Sequence, residues 1–441
     1  MIARKFFLLL SLCAGMHAFV ASTEPAESAQ QVAVSVSAVS HAPLNMLVVG
    51  VGNEPELHEL AIYMSKDLAF SGQFAVDTLM VERVRTRKMI TDFAQQGYTL
   101  IIFLTSSSNA FEWRLYDAMT GQMIQGKKYR KRGALVRGWA HEIADAIWPE
   151  LTGTKSSFAS KIAYCKDVTE PGKKRQTHVI IADYDGSNQQ TIVATPTLHV
   201  APRWNADLNN PLLFYSESTS SNIRLMCITM QGKRRITSNF DGINMLPTFS
   251  GDGTKAVYCA SKGHGNCQLY LFEKGVFRRL THNDGNNVSP SLSHDGKTVF
   301  YCSDAPTGKP QIYRYDLATK VCKQITKRGF NFCPQYHANG KLAYSSLVAG
   351  QVQIFVYDQA TDTHTQITSD EGSKDECFWS PCGSYLIFSV EKGASSRLAL
   401  FNVHTRQQKY ITGIDEQCSY PCWSPLYTEF PVLDEHPVCK S

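Results

Sequence analysis

The sequence predicts a small α/β N-terminal domain followed by an all-β six-bladed β-propeller closed by a C-terminal strand. Three observations carry this. A Pro-x-aromatic segment recurs at near-constant spacing through the second half of the chain. The same succession of turns and short apolar runs follows each recurrence. The strands left over at the two ends of the array complete each other.

The recurring segments are Val-Ala-Pro-Arg-Trp (200–204), Met-Leu-Pro-Thr-Phe (245–249), Val-Ser-Pro-Ser-Leu (288–292) and Phe-Cys-Pro-Gln-Tyr (332–336), then Glu-Cys-Phe-Trp (376–379), where Cys377 replaces proline, and Ser-Tyr-Pro-Cys-Trp (419–423). Positions 202, 247, 290, 334, 377 and 421 stand 45, 43, 44, 43 and 44 residues apart. After most segments comes a tight turn: Gly251-Asp252-Gly253, His294-Asp295-Gly296, Ala338-Asn339-Gly340, Pro381-Cys382-Gly383. Asp-Gly and Asn-Gly tolerate positive φ and suit hairpins. A run ending in an aromatic and a small residue follows, then an alternating run, then a strand ending in Ile-Thr or Leu-Thr. Four short strands per unit of ~40–45 residues is the signature of a propeller blade. The first full repeat carries Asn205 to Asn210 in place of the Asp-Gly turn.

A second-third-fourth strand set precedes the first full repeat (Ile162 to Cys165, Val179 to Ala182, Gln190 to Val193), and a lone first strand ends the array at 421–425. Together they make a sixth blade, which joins the ring and removes the open edges of an unclosed sheet.

From its start, the chain opens with Arg4-Lys5 and an apolar core, Phe6 to Ala14, too short to span a bilayer; residues 1–22 read as a cleaved secretory signal. Residues 23–42 are small and polar and bury too little to fold alone. They read either as a mobile linker or, through the alternation Val32, Val34, Val36, as a strand that adds to another protein's sheet edge. Residues 43–153 read as the α/β domain. Met46 to Val51 and Tyr98 to Leu104 are buried strands, and Phe111 to Asp117 with Gln122 to Tyr129 form a hairpin. Helices are expected over Pro55 to Phe70, Val81 to Ala94 and Ala134 to Leu151, the last with Trp139, Ile143 and Ile147 inward and Gly153 at its end. The propeller is assigned to 156–430 and a tail to 431–441.

This order of parts, with the segments Trp379-Ser380-Pro381-Cys382-Gly383 and Trp423-Ser424-Pro425 and the junction from Leu151 through Phe158 to Tyr164, resembles the TolB family, periplasmic components of the Tol–Pal system. The resemblance implies a periplasmic monomer that docks the peptidoglycan-associated lipoprotein Pal at one mouth of the propeller channel. It also implies pairing of the N-terminal segment, around Val32, Val34 and Val36, with inner-membrane TolA, and a role in envelope integrity and cell division. No cofactor or metal is implied.

The loops from each fourth strand into the next first strand gather around one channel mouth. They point to Ile243, Asn244, Met245 and Leu246, to Asn287, Val288 and Ser289, to Asn331 and Phe332, and to Asp375 as the partner-binding set. The recurrence of asparagine at 244, 287 and 331 has two readings: turn chemistry, or a polar ring with apolar neighbours suited to a protein partner.

Other chemistries find little support. Gly-x-Ser-x-Gly and His-Glu-x-x-His are absent, so the propeller-hydrolase alternative lacks its motifs. Gly50-Val51-Gly52 lacks the third glycine of a dinucleotide turn, holding Pro55 instead, and Asp183-Tyr184-Asp185-Gly186 lacks the glutamate of a calcium loop. The formal charge of +5 argues against nucleic acid. Of thirteen cysteines, all but Cys13 lie beyond residue 160. In an exported protein they are candidates for disulfides (Cys259/Cys267, Cys377/Cys382, Cys418/Cys422) or buried thiols. The competing non-enzyme reading is a stand-alone periplasmic propeller that binds peptide or glycan.

Overall fold

The computed structural model describes residues 42–427, except 84–85, 132–134 and 262–264. The signal at 1–22, Val32, Val34 and Val36 of the N-terminal segment, and the tail at 431–441 lie outside the described residues. The chain divides into two compact units between Ala159 and Ser160.

In the α/β unit, β1 (Leu44–Val51) is apolar at every position from Met46 to Val49 and buried on both faces, as a central parallel strand requires. Pro55 opens α1 (Pro55–Phe70), where its missing N–H costs nothing; Leu57, Leu60, Ala61, Met64 and Leu68 form the buried stripe. Strand β2 (Phe74–Val81) runs parallel to β1, followed by α2 (Thr86–Gln95), β3 (Leu100–Ser107), β4 (Ala110–Asp117), β5 (Met123–Arg130) and α3 (Val136–Thr152). The sheet order is β2-β1-β3-β4-β5, parallel through β3 and antiparallel from there to β5. Gly153 ends α3 at φ 66°, its N–H bonded to Pro149 O, a left-handed cap that glycine adopts without strain. Helices α1 and α3 share a buried hydrogen-bonded pair, Asp67 with His141 Nδ1 at 2.7 Å. Leu47, Val49, Ile101 and Phe103 pack instead against Ile90 and Phe93 of α2. The second helix starts at Thr86 rather than at Val81. Val81 ends β2, an edge strand whose side chains past Phe74 are largely exposed, so its apolar pattern is weak.

The second unit holds six four-stranded antiparallel sheets. Their first strands are His199–Trp204, Asn244–Phe249, Asn287–Leu292, Asn331–Tyr336, Ser373–Trp379 and Cys418–Trp423. Each contacts the next, and the last contacts the first, so these six edges form the inner ring of a propeller. Closure is the pairing of Cys418–Trp423 with Lys161–Asp167 (Trp423 opposite Ile162). It is reinforced where Trp423 Nε1 donates to Ser160 Oγ (2.6 Å) and Lys161 N to Ser424 Oγ (2.9 Å).

The repeat letters have local duties. In the Ser-x-Asp-Gly turns Ser250 donates to Asp252 (2.6 Å) and accepts from Lys255 N (3.0 Å), and Ser293 does the same with Asp295 (2.6 Å) and Thr298 N (2.9 Å). In the rebuilt first turn, Asn205 spans to Asn210 O and Leu212 N, both at 2.8 Å. In four of the five Leu/Ile-Thr pairs the Thr accepts an N–H from the third strand: Thr281 from Leu269, Thr326 from Ile312, Thr368 from Ile354 and Thr412 from Leu398, at 2.8–2.9 Å.

Of the two readings left open for the cysteines, none of the three candidate disulfides is formed. Cys418 and Cys422 share one strand, where four residues at about 3.3 Å each separate their Cα atoms far beyond the roughly 7 Å limit for a bridge. Both, like Cys377, are buried thiols. Cys382 sits in the turn with Ser380 Oγ 3.3 Å from its sulfur, and Cys259 donates to Met245 O (3.4 Å).

Candidate functional site

Every inner strand is broken at the same place. The pairing slips by one residue between Met245 and Thr248, and likewise in the other five blades. At each slip the residue before the Pro position takes a left-handed conformation: Ala201, Leu246, Ser289, Cys333, Glu376 and Tyr420, with φ between 51° and 58°. Such a conformation is uncommon outside glycine and is unusual before proline. The repeated bulge re-aims one side chain per blade toward the axis. These six line one cavity of about 370 Å³, counting its open mouth, with Arg203, Met245, Gln335 and Cys377.

The cavity wall carries one carboxyl group, Glu376, and the carboxyl of Asp375 adjoins it in the chain. Asp375 accepts from Ser345 Oγ and from Glu376 N, both at 2.6 Å. Glu376 accepts from Ser389 Oγ (3.2 Å) and from Tyr420 N. Loss of hydration raises both above the usual carboxylate range, and the charge of Asp375 raises Glu376 further, to about 8; Arg203 opposes this only weakly. Among the described residues no three His, Cys, Asp or Glu side chains converge to hold a metal ion.

Three positions before each Pro site stand His199, Asn244, Asn287, Asn331, Lys374 and Cys418, all fully or almost fully buried. These side chains tie down the loop that enters the strand. Asn244 Nδ2 donates to Phe240 O (2.7 Å) and Ile223 O (2.9 Å), while its Oδ1 accepts from Ser238 Oγ and Phe240 N. Asn331 donates to Arg328 O (2.7 Å) and Gln311 Oε1 (3.1 Å), and Asn287 to Asn283 Oδ1 (2.7 Å) and Gly285 O (3.2 Å). Lys374 does the same with its ammonium, donating to the carbonyls of Asp370, Glu371 and Gly372. His199 bonds Thr195 and Thr197 through Nε2.

The expected partner-binding residues are therefore brought to one end of the channel but not to its surface. Asn244, Asn287, Asn331, Met245, Leu246, Val288 and Ser289 are buried; Ile243, Phe332 and Asp375 keep partial exposure. Of the two readings of the recurrent asparagine, the geometry matches turn chemistry. The exposed rim lies a few residues earlier in each loop, at Asp241, His282 to Asp284, Lys327 to Gly329, Ser369 to Glu371 and Gly413 to Asp415, with Ile414 69% exposed. The acidic residues scattered through these loops were the available signal, but without the bulge the register of the rim could not be set from the repeat.

A family model described as the TolB beta propeller domain matches residues 148–427. The chain belongs to that TolB propeller family. Among curated relatives, the Tol-Pal system protein TolB of Albidiferax ferrireducens is 31% identical over 222 residues, covering 48% of this chain and 51% of the relative. That of Xanthomonas oryzae pv. oryzae is 30% identical over 219 residues, covering 48% and 49%. The chain thus spans about half the length of the curated relatives it matches. The crystal structure of TolB from Acinetobacter baumannii superposes with a TM-score of 0.74 at 23% identity, over 87% of this chain and 97% of that one, a likeness of fold.

Proposed function

We propose that the protein is an exported, non-enzymatic component of the Tol–Pal envelope system. On this reading it docks Pal on the loop rim of the channel and engages TolA through the segment containing Val32, Val34 and Val36, in envelope maintenance and division. The observation that carries the reading is the built waist of the channel. Six bulge side chains converge on it and narrow it, so what is chiefly offered to a macromolecule is the rim. The names of the curated relatives supply the system, and the rim supplies exposed acidic side chains around a partly apolar floor of Ile243 and Phe332. Among the described residues no helix is long and apolar enough to cross a membrane.

The test is a calorimetric titration of the processed protein with purified Pal, beside the triple variant D241N/D284N/D415N and the single variant F332A. The three aspartates are exposed, and because Phe332 packs against the core, the fold of F332A is checked by circular dichroism first. Micromolar or tighter binding that weakens at least about tenfold in the triple variant supports the rim. Binding that all variants retain keeps the system and moves the site. Absence of binding by the folded protein favours the stand-alone propeller, and a peptide or glycan as its ligand.

A further inference from the structure

The α/β unit carries a second surface, unrelated to the channel. Strand β5 is the last of its sheet, and every residue from Met123 to Lys128, with Arg130, is exposed. Lys131 N–H bonds Asn109 O at 2.8 Å, which fixes the alternation of the antiparallel ladder. Residues 131, 129 and 127 turn their backbone groups to β4, and 130, 128 and 126 turn theirs outward. Gly126 agrees, its N–H taken by the Gln125 side chain at 3.2 Å.

Three cations flank this edge. Lys127 lies over the Tyr129 ring (4.8 Å), which in turn meets Trp139 of α3, so it projects on the α3 face. Lys128 and Arg130, by the alternation of a strand, project on the other. Among the described residues none of the three has a carboxylate partner, whereas neighbouring Lys131 is engaged with Glu56 (2.7 Å) and Arg114 with Glu112 (2.6 Å). At the other end of β5, Met123 and Ile124 are 55% and 45% exposed. Lysines on an edge deter a second copy of this chain, which would bring like charge to like. The same charges admit a strand of opposite sign.

We propose that the β5 edge is a docking site for an extended acidic peptide segment of a partner protein, added as an antiparallel sixth strand. Cross-strand neighbours lie about 5 Å apart, so the register defines the ligand. Read from its N-terminus, the segment carries an acid opposite Arg130, then a neutral residue. Two consecutive acids follow opposite Lys128 and Lys127, then two neutral residues, then two apolar residues where the segment passes the bulge of β5 at Ile124 and Met123. Consecutive acids are required because Lys127 and Lys128 lie on opposite faces of the sheet.

The test uses the full chain and a fluorescent peptide of this pattern, Glu-Thr-Glu-Glu-Thr-Thr-Val-Val with neutral flanks, followed by anisotropy. Two further peptides carry one N-methyl group each, on the amide opposite Lys128 or on that opposite Lys127. Edge addition predicts that the first methyl weakens binding at least about tenfold, because that amide faces the edge, and that the second leaves it within about twofold. K127E/K128E weakens the parent peptide at least about tenfold, and a peptide with Lys for its paired acids restores binding to that variant. The proposal is overturned if the parent peptide does not bind at several hundred micromolar. It is equally overturned if both methylated peptides bind like the parent, which leaves charge attraction only, or if vesicles with phosphatidylglycerol bind while the peptide neither binds nor competes. The methylated pair decides the matter even if the double variant fails to fold.

Discussion

Lys374 offers the sharpest test of how the blades are held. Its side chain is fully buried, yet its ammonium has one carboxylate in reach, Asp370 at 3.0 Å, and that carboxylate is 56% exposed. An exposed partner is screened and contributes under about 1 kcal/mol. The larger share comes from the carbonyls of Asp370, Glu371 (3.1 Å) and Gly372 (3.0 Å), which the ammonium gathers into one turn. Hydrogen bonds to a charged group are worth about 1.5–3 kcal/mol each, but water reaches part of this loop when the cation is removed. Lys374→Met, which keeps length and loses the donor, is therefore expected to cost about 3 kcal/mol. Lys374→Asn restores two N–H donors at the position where Asn244 and Asn331 serve the same loop in their own blades, and should cost about half as much. The assay is urea unfolding of the propeller followed by tryptophan fluorescence, with Trp379 on the same strand as reporter. A Met variant within about 0.5 kcal/mol of the parent, or an Asn variant no better than Met, would refute the view that this ring of positions clamps the loops.

Three further outcomes follow from the same geometry. Asp375 and Glu376 have raised pKa values when folded, to about 6 and about 8, so the fold favours their protonated forms; stability is full below the ordinary carboxylate range and falls as pH rises through these values. Denaturation midpoints should decline from pH 5 to pH 8 and Glu376→Gln should flatten that decline; a profile unchanged by the substitution would show the pair to be solvated. In the α/β unit, Asp67→Asn weakens a hydrogen-bonded pair in which both side chains are 2% exposed and should cost about 1–3 kcal/mol, read as faster amide exchange in α1 and α3. Thiol labelling without reductant should modify exposed Cys322 in the native protein, and Cys165, Cys377, Cys418 and Cys422 only after denaturant is added; failure of Cys418 and Cys422 to label even then would reveal a bridge.

Much of the fold was legible because each blade repeats a complete set of local instructions. The Asp-Gly turns, the Thr that closes the fourth strand and the Pro that follows the bulge are each visible as letters, and the end strands could be matched by counting. In the α/β unit the buried elements read clearly and β2 did not. Its pattern Phe-Ala-Val-Asp-Thr-Leu-Met-Val belongs to an edge with one firmly buried side chain, Phe74, and such a strand looks like the start of the helix behind it.

The channel was harder for a physical reason. The six residues that turn inward are Ala, Leu, Ser, Cys, Glu and Tyr, which share no chemistry, and what unites them is a backbone conformation imposed by a bulge. A left-handed residue before proline goes against local preference at a cost of about 1–3 kcal/mol each. It persists here because the paired strand on one side and the neighbouring blades on the other leave no alternative. That tolerance explains why composition at the waist can vary while shape cannot. The −3 position satisfies loop carbonyls from beneath, by asparagine in three blades and by a buried lysine in another. Repetition in a propeller therefore marks what every blade needs in order to close. What closure does not demand lies where the blades differ from one another, in Arg203, Glu376 and the charges of the rim.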